Sequence, residues 1–280
     1  MKAHALTRLL NSLYNTPHLA DQKTFDVVSS YVTNRNIVGL MKLDDEAAEP
    51  ADEFSLEASV GVLKISGPLT YKPVMTLCGE GGASYVSILE DAAEMIEAGI
   101  TTIVMDIDSG GGEAYGAFEC AADLRNMCDN AGVSLIAYND GCMASAAYAL
   151  GCVADEVVSN PYAESGSIGV LISLLNNSKA LEQEGYTRTF ITAGASKVPF
   201  AADGSWREGF LEDLQTKVDG LYDDFVSHVS TYTGLSASVI KATEAKMFTA
   251  SDALSLGLVN QIMTRSQFTD YIANKQKELM

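Results

Sequence analysis

The feature that most constrains this chain is the run TTIVMDID at residues 101–108, followed at once by Ser109, Gly110, Gly111 and Gly112. A continuous β-branched and apolar run reads as a strand covered on both faces. Glycine loses more conformational freedom on folding than any other residue, so three in a row mark a place where the backbone needs that freedom. The pair therefore predicts a central parallel strand that ends in a special turn.

The rest of the chain supports that expectation. GVLKISG (61–67) reads as a strand that opens into a glycine-containing loop, and residues 84–99 as an amphipathic helix. A helix is expected over 113–130, a buried strand over 133–139, a small-residue helix over 144–155 and a strand over 156–160. Strands are also expected over 167–173 and 187–193, with a short helix over 178–185 between them. Strands separated by helices of this length imply parallel βαβ units, hence an α/β fold. A long helix over about 205–232 carries the stripe Phe210, Leu214, Val218, Leu221, Phe225 and Val229, which should pack on the sheet. Ser236 and Ser251 read as N-caps of two further helices, the second ending at Gly257 before a strand LVNQI.

Three regions are expected. Residues 1–58 read as a polar N-terminal helical arm with an acidic linker, 59–264 as the globular domain, and 265–280 as a C-terminal helical tail. At 280 residues and 47% hydrophobic composition the chain can bury a large core. A net charge of −19, with no basic patch, speaks against nucleic-acid phosphates as partners. No apolar stretch is long enough for a membrane anchor, and the N-terminus lacks the pattern of a signal peptide. Cys78, Cys120, Cys128, Cys142 and Cys152 lack metal-site spacing and read as reduced thiols. Neither a metal nor a cofactor is expected, and the compartment is expected to be cytosolic.

Two segments could carry chemistry. After a buried strand, the Asp108–Gly112 turn can aim backbone N–H groups at an anion, either a phosphate or an oxyanion; it can equally be a tight βα turn. Walker A and GxGxxG patterns are absent, which weakens the phosphate option. Ser145, in GCMASAAY (141–148), sits where a strand becomes a helix. It is a candidate nucleophile, or simply a small core or capping residue. A serine hydroxyl needs a base. The histidines are His4 and His18, in the polar arm, and His228, off the stripe of the long helix and read as solvated. A Ser-His-Asp triad is thus poorly supplied. Lys197, in GASKVPF (194–200), is an alternative base if its surroundings strip its charge; otherwise it is an ordinary loop lysine.

Residues 59–263 resemble the S49 peptidase family, which includes signal peptide peptidase A and the prohead proteases of tailed bacteriophages. DIDSGGGEAYGAF, NDGCMASAAYALGCVADEVVSNP, ESGSIGV, GASKVPF and FTASDALSLGLVNQI resemble its motifs in order. The resemblance implies a crotonase- and Clp-protease-like ββα spiral, with Ser145 as nucleophile and Lys197 as base. The N–H groups of Gly112 and Ala146 then form an oxyanion site, with Gly111 permitting the turn. Gly110 departs from the family's usual proline, which implies a looser turn. The N-terminal stretch is similar to that of phage prohead proteases. The family resemblance implies a homo-oligomeric ring, and the N-terminal similarity implies that it acts on scaffold, capsid or portal proteins inside a procapsid in the host cytoplasm. The rival readings are a peptide-degrading S49 enzyme of the bacterial cytoplasm, a non-proteolytic assembly factor, and a crotonase-type acyl-CoA enzyme.

Overall fold

The computed structural model describes residues 17–20, 59–73, 75–76, 79–80, 82–187, 189–201 and 203–279. In chain order the strands are β1 (Pro17–Ala20), β2 (Val60–Ser66), β3 (Met75–Thr76), β4 (Gly79–Glu80), β5 (Thr102–Ser109), β6 (Gly111–Glu113), β7 (Ser134–Ala144), β8 (Glu156–Ser159), β9 (Glu164–Gly166), β10 (Leu171–Ile172), β11 (Met247–Thr249) and β12 (Gln261–Ile262). The helices are α1 (Tyr85–Glu97), α2 (Ala117–Ala131), α3 (Ala146–Gly151), α4 (Ser178–Gln183), α5 (Phe210–Thr233), α6 (Ala237–Ala242), α7 (Ala250–Leu256) and α8 (Arg265–Leu279).

The expected central strand is β5. It lies in a sheet of order β11-β9-β7-β5-β2, with β8 beside β7 and β12 beside β8. All these pairings are parallel except β11 with β9. The α/β class with a parallel sheet is therefore as expected. Alternation along β5 sends Ile103, Met105 and Ile107 into a large core with α1, α2, α3 and the C-terminal part of α5. Val104 faces the other way, into a second cluster with Ile136, Tyr138, Val158, Phe268 and Ile272. The apolar run is explained by these two covers.

The helix expected as a tail, α8, supplies the second cover. Phe268 stacks on Tyr138 with ring centroids 4.4 Å apart. Full burial of a side chain such as Phe268 or Ile272 stabilises by about 1.5–3 kcal/mol. The start of α8 is pinned by Arg265, which pairs with Asp106 at 3.2 Å and Asp140 at 2.5 Å. Desolvation, with Asp140 adding repulsion, holds the Asp106 carboxyl above its ordinary range against the pull of Arg265.

Several expectations are corrected. Of the arm, only residues 17–20 lie among the described residues, and they form a strand rather than a helix. The acidic linker lies outside the described residues. Residues 187 and 189–193 form no strand. Of the strand expected over 167–173 only β10 at Leu171–Ile172 forms; β9 ends just before it, at Gly166, where the chain bends at Ser167, whose φ is +53°. α2 begins at Ala117, since Glu113 belongs to β6. α3 is shorter than expected. Thr249, not Ser251, caps α7, its hydroxyl accepting from the Asp252 N–H. Only the C-terminal part of the α5 stripe is buried, at Phe225 and Val229, with Val226 beside them, while Phe210, Leu214, Val218 and Leu221 are half-exposed.

Candidate active site

The end of β7 sets the first half of the site. Its register with β5 runs regularly from Thr102↔Ser134 to Ile107↔Asn139, then slips so that Ser109 faces Met143. Extra residues on one strand bend it and re-aim the side chains beyond the bulge. The Asp108 carboxylate holds this bulge by accepting from the Cys142 N–H at 3.0 Å. Past that point the chain turns into α3 at Ser145, which takes φ +54° and ψ −118°. That region is costly for a residue with a Cβ and persists only when the surroundings impose it. Here the Ser145 N–H donates to the Gly166 carbonyl at 2.8 Å, and the Ser145 carbonyl accepts from the Ala149 N–H at 2.9 Å. The side chain is fully buried, and Oγ makes no hydrogen bond to any described residue. A strained, buried serine with an unpartnered hydroxyl is unlike an ordinary capping serine, whose oxygen accepts from its helix.

The glycine turn sets the second half. Gly111 has φ +92°, and a Cβ on it would stand 3.0 Å from the Ala146 nitrogen. The glycine backbone thus lies directly against the first N–H of α3, which has no acceptor within the helix. A Cβ on Gly112 would stand 1.9 Å from the Leu69 carbonyl oxygen, so only glycine fits there. On this edge Leu69 donates to the Gly111 carbonyl at 3.0 Å and accepts from the Glu113 N–H at 2.9 Å. Strand alternation turns the Gly112 N–H to the opposite edge. The looseness expected at Gly110 is offset by Ser109. Its hydroxyl donates to the Gly67 carbonyl at 2.6 Å and accepts from the Gly111 N–H at 3.1 Å. Sequence reasoning missed both Ser109 and Asp108 as braces; their only sequence signal was adjacency to the glycines.

The structure thus brings Ser145, Gly111, Gly112 and Ala146 into one buried neighbourhood. Lys197 ends an exposed 3-10 turn, Ala195–Lys197, whose Gly194 carbonyl accepts from the Lys197 N–H at 3.2 Å. No hydrogen bond joins it to Ser145 in the single chain. His228, read as solvated, is half-buried against Phe118 and Tyr232, with Nε2 2.9 Å from the Ala149 carbonyl. Burial pulls its pKa below the ordinary 6.5, with the Ala149 contact pulling the other way. His18 is buried in β1 rather than exposed on a polar arm. Burial pushes the Cys120 thiol up to about 12 and raises Cys128 and Cys152, so these thiols are poor nucleophiles. Among the described residues no helix is long and apolar enough to cross a membrane.

Ser145 thus lies buried at a strand-to-helix turn, with the Gly111 backbone against the N–H of the residue that follows it. The chain belongs to peptidase family S49, whose model matches residues 128–279. It is 30% identical over 225 residues to the capsid assembly protease C of Escherichia phage lambda, covering 79% of this chain and 50% of that protein. It is 29% identical over 233 residues to the head-tail preconnector protein GP5 of Enterobacteria phage P21, covering 80% of this chain and 44% of that protein. The chain thus spans about half the length of these relatives. A ClpP1 mutant from Listeria monocytogenes superposes with a TM-score of 0.46 at 12% identity, over 73% of this chain and 94% of that one.

Proposed function

We propose that this chain is a serine endopeptidase in which Ser145 is the nucleophile and Lys197 the general base. The observation that carries the reading is the strained, fully buried Ser145 whose hydroxyl has no partner among the described residues, beside the Gly111–Ala146 contact. Lys197, neutral at the moment of reaction, removes the Ser145 proton as Oγ attacks the scissile carbonyl. The N–H groups of Gly112 and Ala146 hold the oxyanion, each such donor contributing about 3–4 kcal/mol. Lys197 then protonates the leaving amine, and water hydrolyses the acyl-enzyme.

Ser145 and Lys197 meet in the working assembly, a homo-oligomeric ring. Supporting this, the segment that carries Lys197 displays Tyr186, Phe190 and Ile191 to solvent, with Ile191 97% exposed. The natural substrates are scaffold, capsid or portal polypeptides, and the site of action is a procapsid in the host cytoplasm, in keeping with the two phage relatives. Co-expression with the candidate capsid and scaffold proteins tests this. Wild type is expected to yield truncated products and Ser145→Ala full-length ones; identical bands from both would remove the reading.

A further inference from the structure

We propose that β1 is the chain's own substrate, lying in the groove between β6 and β10, and that the bond cleaved is Leu19–Ala20. The inference rests on Ser145 being a protease nucleophile, as proposed above.

β1 is the middle strand of a separate three-stranded sheet of order β10-β1-β6, antiparallel to both neighbours. Its partners are the two edges that flank the nucleophile. β6 is the glycine turn itself, and β10 comes after β9, whose Gly166 holds the Ser145 N–H. A polypeptide laid between two strands in this way binds through its main chain, with pockets selecting alternate side chains. The register then chooses the bond. Leu19 pairs with Gly112, on the edge to which the Gly112 N–H is turned. The Leu19 carbonyl oxygen lies 2.1 Å from the point where a Cβ on Gly111 would sit, and the Ala146 nitrogen lies 3.0 Å from that same point. Of the carbonyls in β1, that of Leu19 is the one the structure places against the proposed oxyanion donors. Its side chain is completely buried and belongs to the same core as Leu69, Ala146, Ala147 and Ile168. It therefore fills an apolar specificity pocket as the residue before the scissile bond. On the same side of that bond, His18 pairs with Glu113 and Leu171, and Pro17 with Ile172.

With β1 in place, Ser145, Gly111 and Gly112 are all buried, so another polypeptide reaches them only after β1 has left. Cleavage supplies that exit. Ser145 Oγ adds to the Leu19 carbonyl carbon while its proton passes through the base to the Ala20 nitrogen. The Leu19–Ala20 bond breaks, leaving an ester at Leu19 and a free amine at Ala20. Water then adds hydroxide to the ester carbon and returns a proton to Oγ, giving a Leu19 carboxylate.

Intact-mass measurement of the purified full chain tests this. Wild type is expected to begin at Ala20, with residues 1–19 recovered as a fragment, and Ser145→Ala to keep its full length. As a control that does not depend on folding of an altered chain, wild type is given a synthetic peptide of residues 14–25 and its Leu19→Asp counterpart. The first should be cut between Leu19 and Ala20, and the second roughly 100-fold more slowly or worse. Casein digestion runs in parallel. Digestion of casein with the arm left intact, or cut at another bond, overturns this inference and leaves the protease reading standing. If neither casein nor the arm is cut, both fall.

Discussion

Ser145 and Lys197 occupy opposite kinds of ground. Around Ser145 the backbone is fixed on every side. Gly166 takes its N–H, the Asp108 carboxylate holds the bulge before it, and Ser109 ties the glycine turn that faces it. Lys197 sits on a three-residue turn in a segment with no strand, among exposed apolar side chains. The difference teaches that the proposed nucleophile and its proposed oxyanion donors are held by one chain's core. Lys197, as the proposed base, has around it none of the tertiary packing that fixes Ser145 among the described residues.

The sharpest way to break that contrast is Lys197→Ala. Peptidase activity should fall by about 10²–10⁴-fold, the usual worth of a general base. The melting temperature should hardly move, since an exposed substitution changes stability by no more than about 0.5 kcal/mol. Retained activity would show that the base lies elsewhere, and a large loss of stability would show that the segment is part of the core. Next in size is Gly112→Ala on the fixed side. Its Cβ would collide with the Leu69 carbonyl, and forcing atoms into a packed site costs about 1–3 kcal/mol. On the exposed face of α5, Gly220→Ala meets nothing within 4 Å and should instead stabilise by about 0.5–1 kcal/mol. Thermal melts of the two variants separate the regions; equal effects would erase the distinction.

The smallest effect is on pH dependence. The folded chain resists protonating His228, whereas the unfolded chain protonates it near 6.5. Stability tied to His228 is therefore present above that pH and is lost as pH falls below it, because the unfolded state then binds more protons. Melting temperature should drop by roughly 2–4 °C between about pH 7.5 and about pH 5.5. His228→Phe should flatten that drop, and an unchanged slope would mean that the burial of His228 carries no proton linkage.

Much of the scaffold was legible because its signals are local. The run at 101–108 is apolar throughout because it is covered on both faces, and Gly257 ends α7 with a left-handed φ that glycine adopts without strain. The segments expected as strands, 167–173, of which only Leu171–Ile172 is one, and 187–193, also carry β-branched and apolar residues. Burial, however, is decided by what lies opposite, and around 187–193 the described chain places little there beyond the Phe200 ring, 5.4 Å from that of Phe190. The α5 stripe failed halfway for the same reason: its spacing is regular, but α2 and α3 lie beneath only its C-terminal part. For the proposed site, motif resemblance and residue type pointed to Ser145, Gly111, Gly112 and Ala146, which the fold places close together. Ser109 and Asp108 were not, because a hydroxyl or carboxylate that braces a turn looks like any polar residue until its acceptor or donor is known.

The sequence by itself determined the alternation of strands and helices, the place where glycine was indispensable, and the serine at the end of a buried strand. These depend on propensity, periodicity and steric demand, all of which act over a few residues. Only the tertiary structure decided that residues 17–20 are a strand between β6 and β10, that the final helix covers the sheet, and that His228 is half-buried. Those outcomes depend on contacts between residues distant in the chain, whose free energy exists only once the surfaces that make them have been brought together.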